Sequence, residues 1–322
     1  MTAYTPSSLL TVLEVVGLLV VILMCGFAIA RIRPARTGRM AAWTLAVAAV
    51  AIAAWLCTNE PAGIRMVAIV LALLYAMKAI AAVEACARGE TPLSFVAWIC
   101  FAAGWFGMRP SLFHSVGGRP LPGFLPLIRT GVARIVPGTI LVMASWSVWR
   151  SPLSGGHESW LRLVLTVPLM VGLSLMFHFG LFNVVTGLWR AVGVDADPLF
   201  RAPFVSKTLA EFWSRRWNIG FSEMTSLAVY HPLRRKLGAP LAVMVSFGCS
   251  GVLHEIAISL PVNAGFGLPL LYFLIQGASM LVQRRVGRSR LWTMATLILP
   301  LPLLFHAPFL NGVVWPLIGM GN

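Results

Sequence analysis

The chain has 322 residues, 58% of them hydrophobic and 11% charged, with a formal net charge of +15 from 25 Lys and Arg against 10 Asp and Glu. With a mean hydropathy of +0.84, this excludes a soluble globular domain and identifies an integral membrane protein. Long Leu-, Ala- and Val-rich stretches broken by Gly and Pro also exclude a transmembrane barrel, and they leave too little soluble surface for nucleic acid to be the partner of the positive charge.

The first apolar run, from about Leu9 to Ala30, ends at Arg31. Met1 to Thr11 has no basic n-region and no small-residue cleavage site follows, so this segment is expected to be retained. Further apolar segments lie near residues 40–57, 64–83, 92–106, 132–149, 160–188, 239–260, 264–283 and 291–315. Arg31, Arg33, Arg36 and Arg39 place the first loop on the cytoplasmic side and the N-terminus outside. Arg215, Arg216, Arg234, Arg235 and Lys236 do the same for the stretch before residue 239, and Arg284, Arg285, Arg288 and Arg290 for the loop before the last segment.

These assignments reconcile only if one segment does not cross. The segment at 92–106 is short for a hydrocarbon layer of about 30 Å, contains Gly104 and runs into Pro110, Pro120, Pro122 and Pro126. It is expected to be re-entrant or interfacial. The expected fold is therefore an all-α polytopic membrane protein with about eight transmembrane helices and both termini outside. No internal repeat or low-complexity tail divides it, so residues 1–322 are read as a single domain.

Two regions are expected to extend beyond the bilayer core, Gly107–Thr130 and Arg190–Gly238. In the second, Val205, Leu209, Phe212, Trp213 and Trp217 recur at helical spacing after Pro203. This predicts an amphipathic helix over Val205–Asn218, lying in the cytoplasmic interface with its tryptophans on the apolar face. On such a helix Glu211, Arg215 and Asn218 project from one face.

Polar residues inside apolar segments are the candidates for chemistry, because an ionisable group costs a few kcal/mol at helix centre. His254 lies about 20 Å from the cytoplasmic end of a helix starting near residue 239, close to the bilayer midplane. Ser246, Ser250 and His254 form one stripe beside Gly248 and Gly251, and Glu255 adds a second ionisable group. His178 is mid-segment and either lines the same cavity as His254 or bonds a backbone carbonyl, the second being favoured, whereas His114, His157, His231 and His306 fall in loops or at segment ends. A zinc-protease helix needs a second His four residues after the first, and position 258 is Ile. Cys25, Cys57, Cys86, Cys100 and Cys249 have no metal-ligand spacing and read as packing residues. Neither a serine nucleophile elbow nor a phosphate-cradling glycine loop occurs. A buried His, an amide and nearby arginines remain, which suits direct acyl transfer to a hydroxyl with the His as base.

Phe212-Trp213-Ser214-Arg215-Arg216-Trp217-Asn218 and Ser250-Gly251-Val252-Leu253-His254-Glu255 together resemble the two motifs of the membrane-bound O-acyltransferase superfamily, in its wax synthase-like branch. The resemblance covers about residues 200–285, and Trp105-Phe106-Gly107-Met108-Arg109-Pro110 is similar to a family loop upstream. It implies a catalytic His254 with Asn218 as its polar partner, and no bound cofactor or metal. It also implies acyl-CoA as co-substrate entering a tunnel from the cytoplasm, and a lipophilic alcohol as acceptor. Trp213, Arg215, Arg216, Trp217, Ser250 and Glu255 are the implied substrate-binding residues, with Arg234, Arg235 and Lys236 adding attraction for the CoA phosphates. Glu255 is left either to orient His254 or to pair with an arginine. The chain is arginine-rich and lysine-poor, unlike the plant members, so a bacterial inner (cytoplasmic) membrane is the expected location. The alternative is a proton-coupled lipid or small-molecule transporter using His254 and Glu255 as a relay.

Overall fold

The computed structural model describes residues 2–151 and 158–320, and every regular element among them is helical. Helices α1 (Leu9–Ile29), α2 (Ala35–Leu56) and α3 (Ala62–Ala87) pack on one another. Small residues set their spacing: Gly38, Ala42, Ala46, Ala49 and Ala53 form the buried stripe of α2, so that backbones approach without large side chains between them. The outer faces carry large exposed apolar residues, among them Leu9, Val47 and Leu10, as expected of helices in lipid.

The next helix, α4 (Phe95–Gly104), has 10 residues, about 15 Å of rise and half the hydrocarbon thickness. This agrees with the expectation that residues 92–106 do not cross. Trp98 and Phe101 are fully buried, and the Trp98 indole donates to the Leu23 carbonyl at 2.9 Å, which pins α4 to α1.

Helix α5 (Phe124–Arg150) starts earlier than the hydropathy suggested, inside the region read as an external loop. It packs against an apolar run from Ser159 to Ala191, comprising α6 (Glu158–Ser174), a π-helical turn at Leu175–Leu181, and α7 (Phe182–Ala191). Gly138 of α5 and Gly172 of α6 face each other, and a Cβ on either would stand 2.8 Å from the other's carbonyl oxygen. That contact admits glycine alone.

The predicted amphipathic helix over Val205–Asn218 is not continuous. A short 3-10 turn at Pro203–Val205 is followed by α8 (Leu209–Glu211), then a π-turn at Phe212–Arg216, and the chain leaves the helix at an extended Trp217. Thr208 caps the restart, its hydroxyl accepting from the Glu211 N–H at 3.0 Å. Because the last helical turn is wide and Trp217 is extended, Asn218 does not share a face with Glu211 and Arg215. The tryptophans do not lie flat in an interface either. Trp213 packs against Phe247 and Phe273, and Trp217 against Phe200 and Phe212.

From Ile219 to Val262 the chain is again helical. It comprises α9 (Ile219–Thr225), a π-turn at Ser226–Tyr230, α10 (His231–His254), a π-turn at Glu255–Ser259, and α11 (Leu260–Val262). Gly238, at φ 77° and ψ 166°, breaks α10 just before Pro240, close to where hydropathy placed the start of the segment. Residues 219–237, read as external from composition, thus form the helical approach to it, with Arg234, Arg235 and Lys236 exposed.

Helix α12 (Leu268–Val286) packs along α10, and α13 (Arg290–Ile298), α14 (Leu301–Leu304) and α15 (Ala307–Phe309) follow. Among the described residues, six helices are long and apolar enough to cross a membrane, or seven if the bent pair Arg290–Leu304 and Ala307–Ile318 forms one span. The 19-residue α12, less apolar because of Gln276, Gln283, Arg284 and Arg285, brings the number near the eight expected. The Tyr4 hydroxyl donates to the Val313 carbonyl at 2.9 Å, so residues near both ends of the chain sit on the same side of the bundle. An even number of crossings requires this parity.

Candidate active site

His254 is the last residue of α10, at the point where α-helical pairing widens into the π-turn at Glu255–Ser259. Such turns are rare and favour functional sites. The His254 Nδ1 lies 2.7 Å from the Ser250 carbonyl oxygen. A carbonyl only accepts, so Nδ1 carries the proton and Nε2 keeps its lone pair. Among the described residues no group hydrogen-bonds to Nε2. The ring lies 4.2 Å, centroid to centroid, from Phe273 and 6.2 Å edge-on from Phe221. Ser250 thus acts here through its backbone. Gly251, one turn before Glu255, lets α12 approach: a Cβ there would stand 2.8 Å from the Leu270 Cα, and this closeness carries Phe273 onto the imidazole.

Asn218 has φ 44° and ψ 59°, a left-handed conformation that Asn tolerates better than most residues. Its Oδ1 accepts from the Phe221 N–H at 3.4 Å and caps α9, which leaves the amide NH₂ without a partner among the described residues. The two motifs are brought together through Phe221, whose backbone is held by Asn218 and whose ring faces His254. No hydrogen bond joins Asn218 to His254 among the described residues.

Among the described residues Glu255 neither hydrogen-bonds to His254 nor pairs with an arginine, and its Oε2 is buried without a hydrogen-bond partner. Its Oε1 accepts from the Gly267 and Leu270 N–H groups, each at 2.9 Å, placing a carboxylate at the N-terminus of α12 where unpaired N–H groups and the helix dipole favour it. Arg216 is likewise committed. It pairs with Glu211 at 2.8 Å and donates to the Arg201 carbonyl at 3.1 Å. The Lys207 N–H and then Arg216 hold the Glu211 carboxyl below the usual glutamate range. Arg215 is exposed and forms no ion pair among the described residues.

Sequence reasoning missed the support under Asn218. Lys78, fully buried in α3, donates to the carbonyls of Trp105 at 2.7 Å and Gly107 at 2.5 Å, with its ammonium 4.2 Å from the Phe101 ring centroid. The loop it holds packs against α9: a Cβ on Gly220 would stand 2.8 Å from the Gly107 Cα, and Arg109 pairs with Glu223. A shallow cleft lies here, lined by Trp105, Arg109, Asp197, Arg201 and Glu223 among others. The signal for Lys78 was present, since a lone lysine within an apolar helix is costly.

His178 bonds the Ser174 hydroxyl at 3.1 Å, not a backbone carbonyl, and sits 5.4 Å from Trp217. His306, read as an ordinary segment-end residue, is buried and caps α15. His157 lies outside the described residues.

Residues 196–275, which contain both Asn218 and His254, match the membrane bound O-acyl transferase family. This stretch belongs to that family. The long-chain-alcohol O-fatty-acyltransferase of Simmondsia chinensis is 35% identical over 94 residues, covering 25% of this chain and 27% of that protein. The probable long-chain-alcohol O-fatty-acyltransferase 7 of Arabidopsis thaliana is 29% identical over 137 residues, 39% of this chain and 40% of its own. The probable enzyme 3 of the same plant is 28% identical over 207 residues, 62% of this chain and 56% of its own. These similarities place the O-acyl transferase stretch in the wax synthase-like branch. The chain spans about a quarter to just over half of the length of these curated relatives.

Proposed function

We propose that the protein is an O-acyltransferase that moves an acyl group from acyl-CoA to the hydroxyl of a lipophilic alcohol within the membrane. The observation that carries this reading is the state of His254: Nδ1 is committed to the Ser250 carbonyl, so Nε2 is a lone-pair base in an aromatic, water-poor setting. A base so placed takes the proton of the acceptor hydroxyl as its oxygen attacks the thioester carbonyl. The tetrahedral intermediate then collapses, the C–S bond breaks, and the thiolate recovers the proton from the imidazolium to leave as free CoA. No covalent enzyme intermediate is needed. The Asn218 amide NH₂, without a partner among the described residues, serves the acyl carbonyl. The exposed Arg215, Arg234, Arg235 and Lys236 supply positive charge that favours the anionic CoA head. The names of the relatives support a long-chain alcohol as acceptor, and the arginine-rich composition supports a bacterial cytoplasmic membrane.

The transporter alternative is less favoured, because Glu255 turns its Oε1 to the head of α12 and no hydrogen bond joins it to His254 among the described residues. The test is ester formation from radiolabelled long-chain acyl-CoA and a fatty alcohol by the purified protein in nanodiscs. Wild-type protein is expected to give labelled ester, and His254→Ala, inserted and folded, is expected to give none. Ester formation undiminished in His254→Ala would remove the assignment.

A further inference from the structure

Trp213 carries the one polar atom of its side chain, Nε1, buried and without a hydrogen-bond partner among the described residues. A buried donor left unpaired costs about 1–3 kcal/mol, and such orphans call for an explanation. Loose packing does not supply it. The indole is held edge-on by Phe212 at 5.0 Å and Phe247 at 5.9 Å, and rests against Phe273 at 5.6 Å. Its backbone is fixed as well, since the Trp213 carbonyl accepts from the Ser222 hydroxyl on α9, the helix that Asn218 caps. The π-turn at Phe212–Arg216 is what sends this side chain into the bundle.

Phe273 forms the wall common to Trp213 and His254, in contact with both rings. Against this one ring stand an acceptor without a donor among the described residues, Nε2 of His254, and a donor without an acceptor among them, the Trp213 N–H, which cannot reverse its role. Acyl transfer needs both: a lone pair for the acceptor's proton, and a donor for the oxygen that becomes negative as the thioester carbonyl turns tetrahedral.

Resting on the acyltransferase reading, we infer that the Trp213 indole N–H donates a hydrogen bond to the acyl carbonyl oxygen and to the oxyanion formed from it. Trp213 is then a catalytic residue. The acceptor oxygen bonds to the carbonyl carbon as its proton passes to His254, the carbonyl π pair moves onto the oxygen facing Trp213, and that pair returns as the C–S bond breaks. In the resting protein the donor is unpaired among the described residues, so its removal breaks no bond seen among them.

The experiment replaces Trp213 by its 3-benzothienyl analogue, which keeps the bicyclic shape and exchanges N–H for sulfur, with Trp213→Phe as the encoded variant. Ester formation and thermal midpoint are measured in nanodiscs. The analogue is expected to lower kcat by about a hundredfold, as for loss of one oxyanion donor, with KM for acyl-CoA and the thermal midpoint held. Unchanged kcat overturns the inference. A lowered thermal midpoint in the analogue also overturns it, because the N–H then serves a partner within the fold. If wild-type protein forms ester and the analogue does so equally well, this inference alone falls; if wild-type protein forms none, the acyltransferase reading falls and takes the inference with it.

Discussion

Asn218 holds two roles that substitution can separate. Its side chain caps α9 and its backbone is left-handed, so Asn218→Ala loses a cap worth about 1 kcal/mol and adds about 1–2 kcal/mol of steric strain. Asn218→Gly relieves the strain and, as a cap, costs only a few tenths of a kcal/mol. Asn218→Gly is therefore expected to melt near wild type while losing most of its ester-forming rate, and Asn218→Ala to lose both. Thermal scans beside steady-state kinetics distinguish the two. Lys78 carries a different burden. Removing its ammonium in Lys78→Met leaves the Trp105 and Gly107 carbonyls unpaired, at about 1–3 kcal/mol each. The expected result is a lower thermal midpoint and faster proteolysis within residues 105–109.

Between elements, the decisive contact is that of α10 with α12. Gly251→Ala puts a Cβ 2.8 Å from the Leu270 Cα, and a backbone atom cannot swing aside as a side-chain tip can. The helices are expected to separate and draw Phe273 off His254, so activity falls several-fold more than stability does; kcat and thermal midpoint measured on the same preparation check it. The short helical segment at 209–216 has its own pH dependence. The folded state holds the Glu211 carboxyl below its usual range, so its ion pair contributes stability above the unfolded glutamate value of about 4.3. That contribution is lost as pH falls through the lower, folded value. Glu211→Gln is expected to flatten the acid limb of the stability curve, with the contribution kept small by the partly exposed pair.

Much of the architecture was legible from hydropathy because lipid enforces it: backbone groups must be satisfied internally, so apolar runs become helices. The short segment at 92–106 was legible for the same reason, since 10 helical residues do not reach across the hydrocarbon layer. Hydropathy misjudged Val205–Asn218. Helical spacing was present there, but periodicity does not show where pairing widens into a π-turn, and the turn at Phe212–Arg216 redirected Trp213 and Asn218. Glu255 was ambiguous because its partners, Gly267 and Leu270, are backbone groups of another helix. At the scale of the whole molecule, the contact of Tyr4 with Val313 fixes the parity of the topology. In a background with the five native cysteines replaced, single cysteines introduced at the exposed positions 6 and 317 are expected to react with an impermeant maleimide from the same side of sealed vesicles.

The sequence by itself determined the class of molecule, the approximate helix count and the two motifs, because composition and residue order carry the free energy of burial in lipid directly. The tertiary structure decided which groups remain unengaged. Among the described residues His254 keeps a free lone pair because Nδ1 is bonded to Ser250, Trp213 keeps a free N–H because aromatic rings surround it, and one Glu255 oxygen and Arg216 are occupied by backbone and ion-pair partners. Which donors and acceptors stay open depends on contacts between residues far apart in the chain, and those arise only when the helices pack.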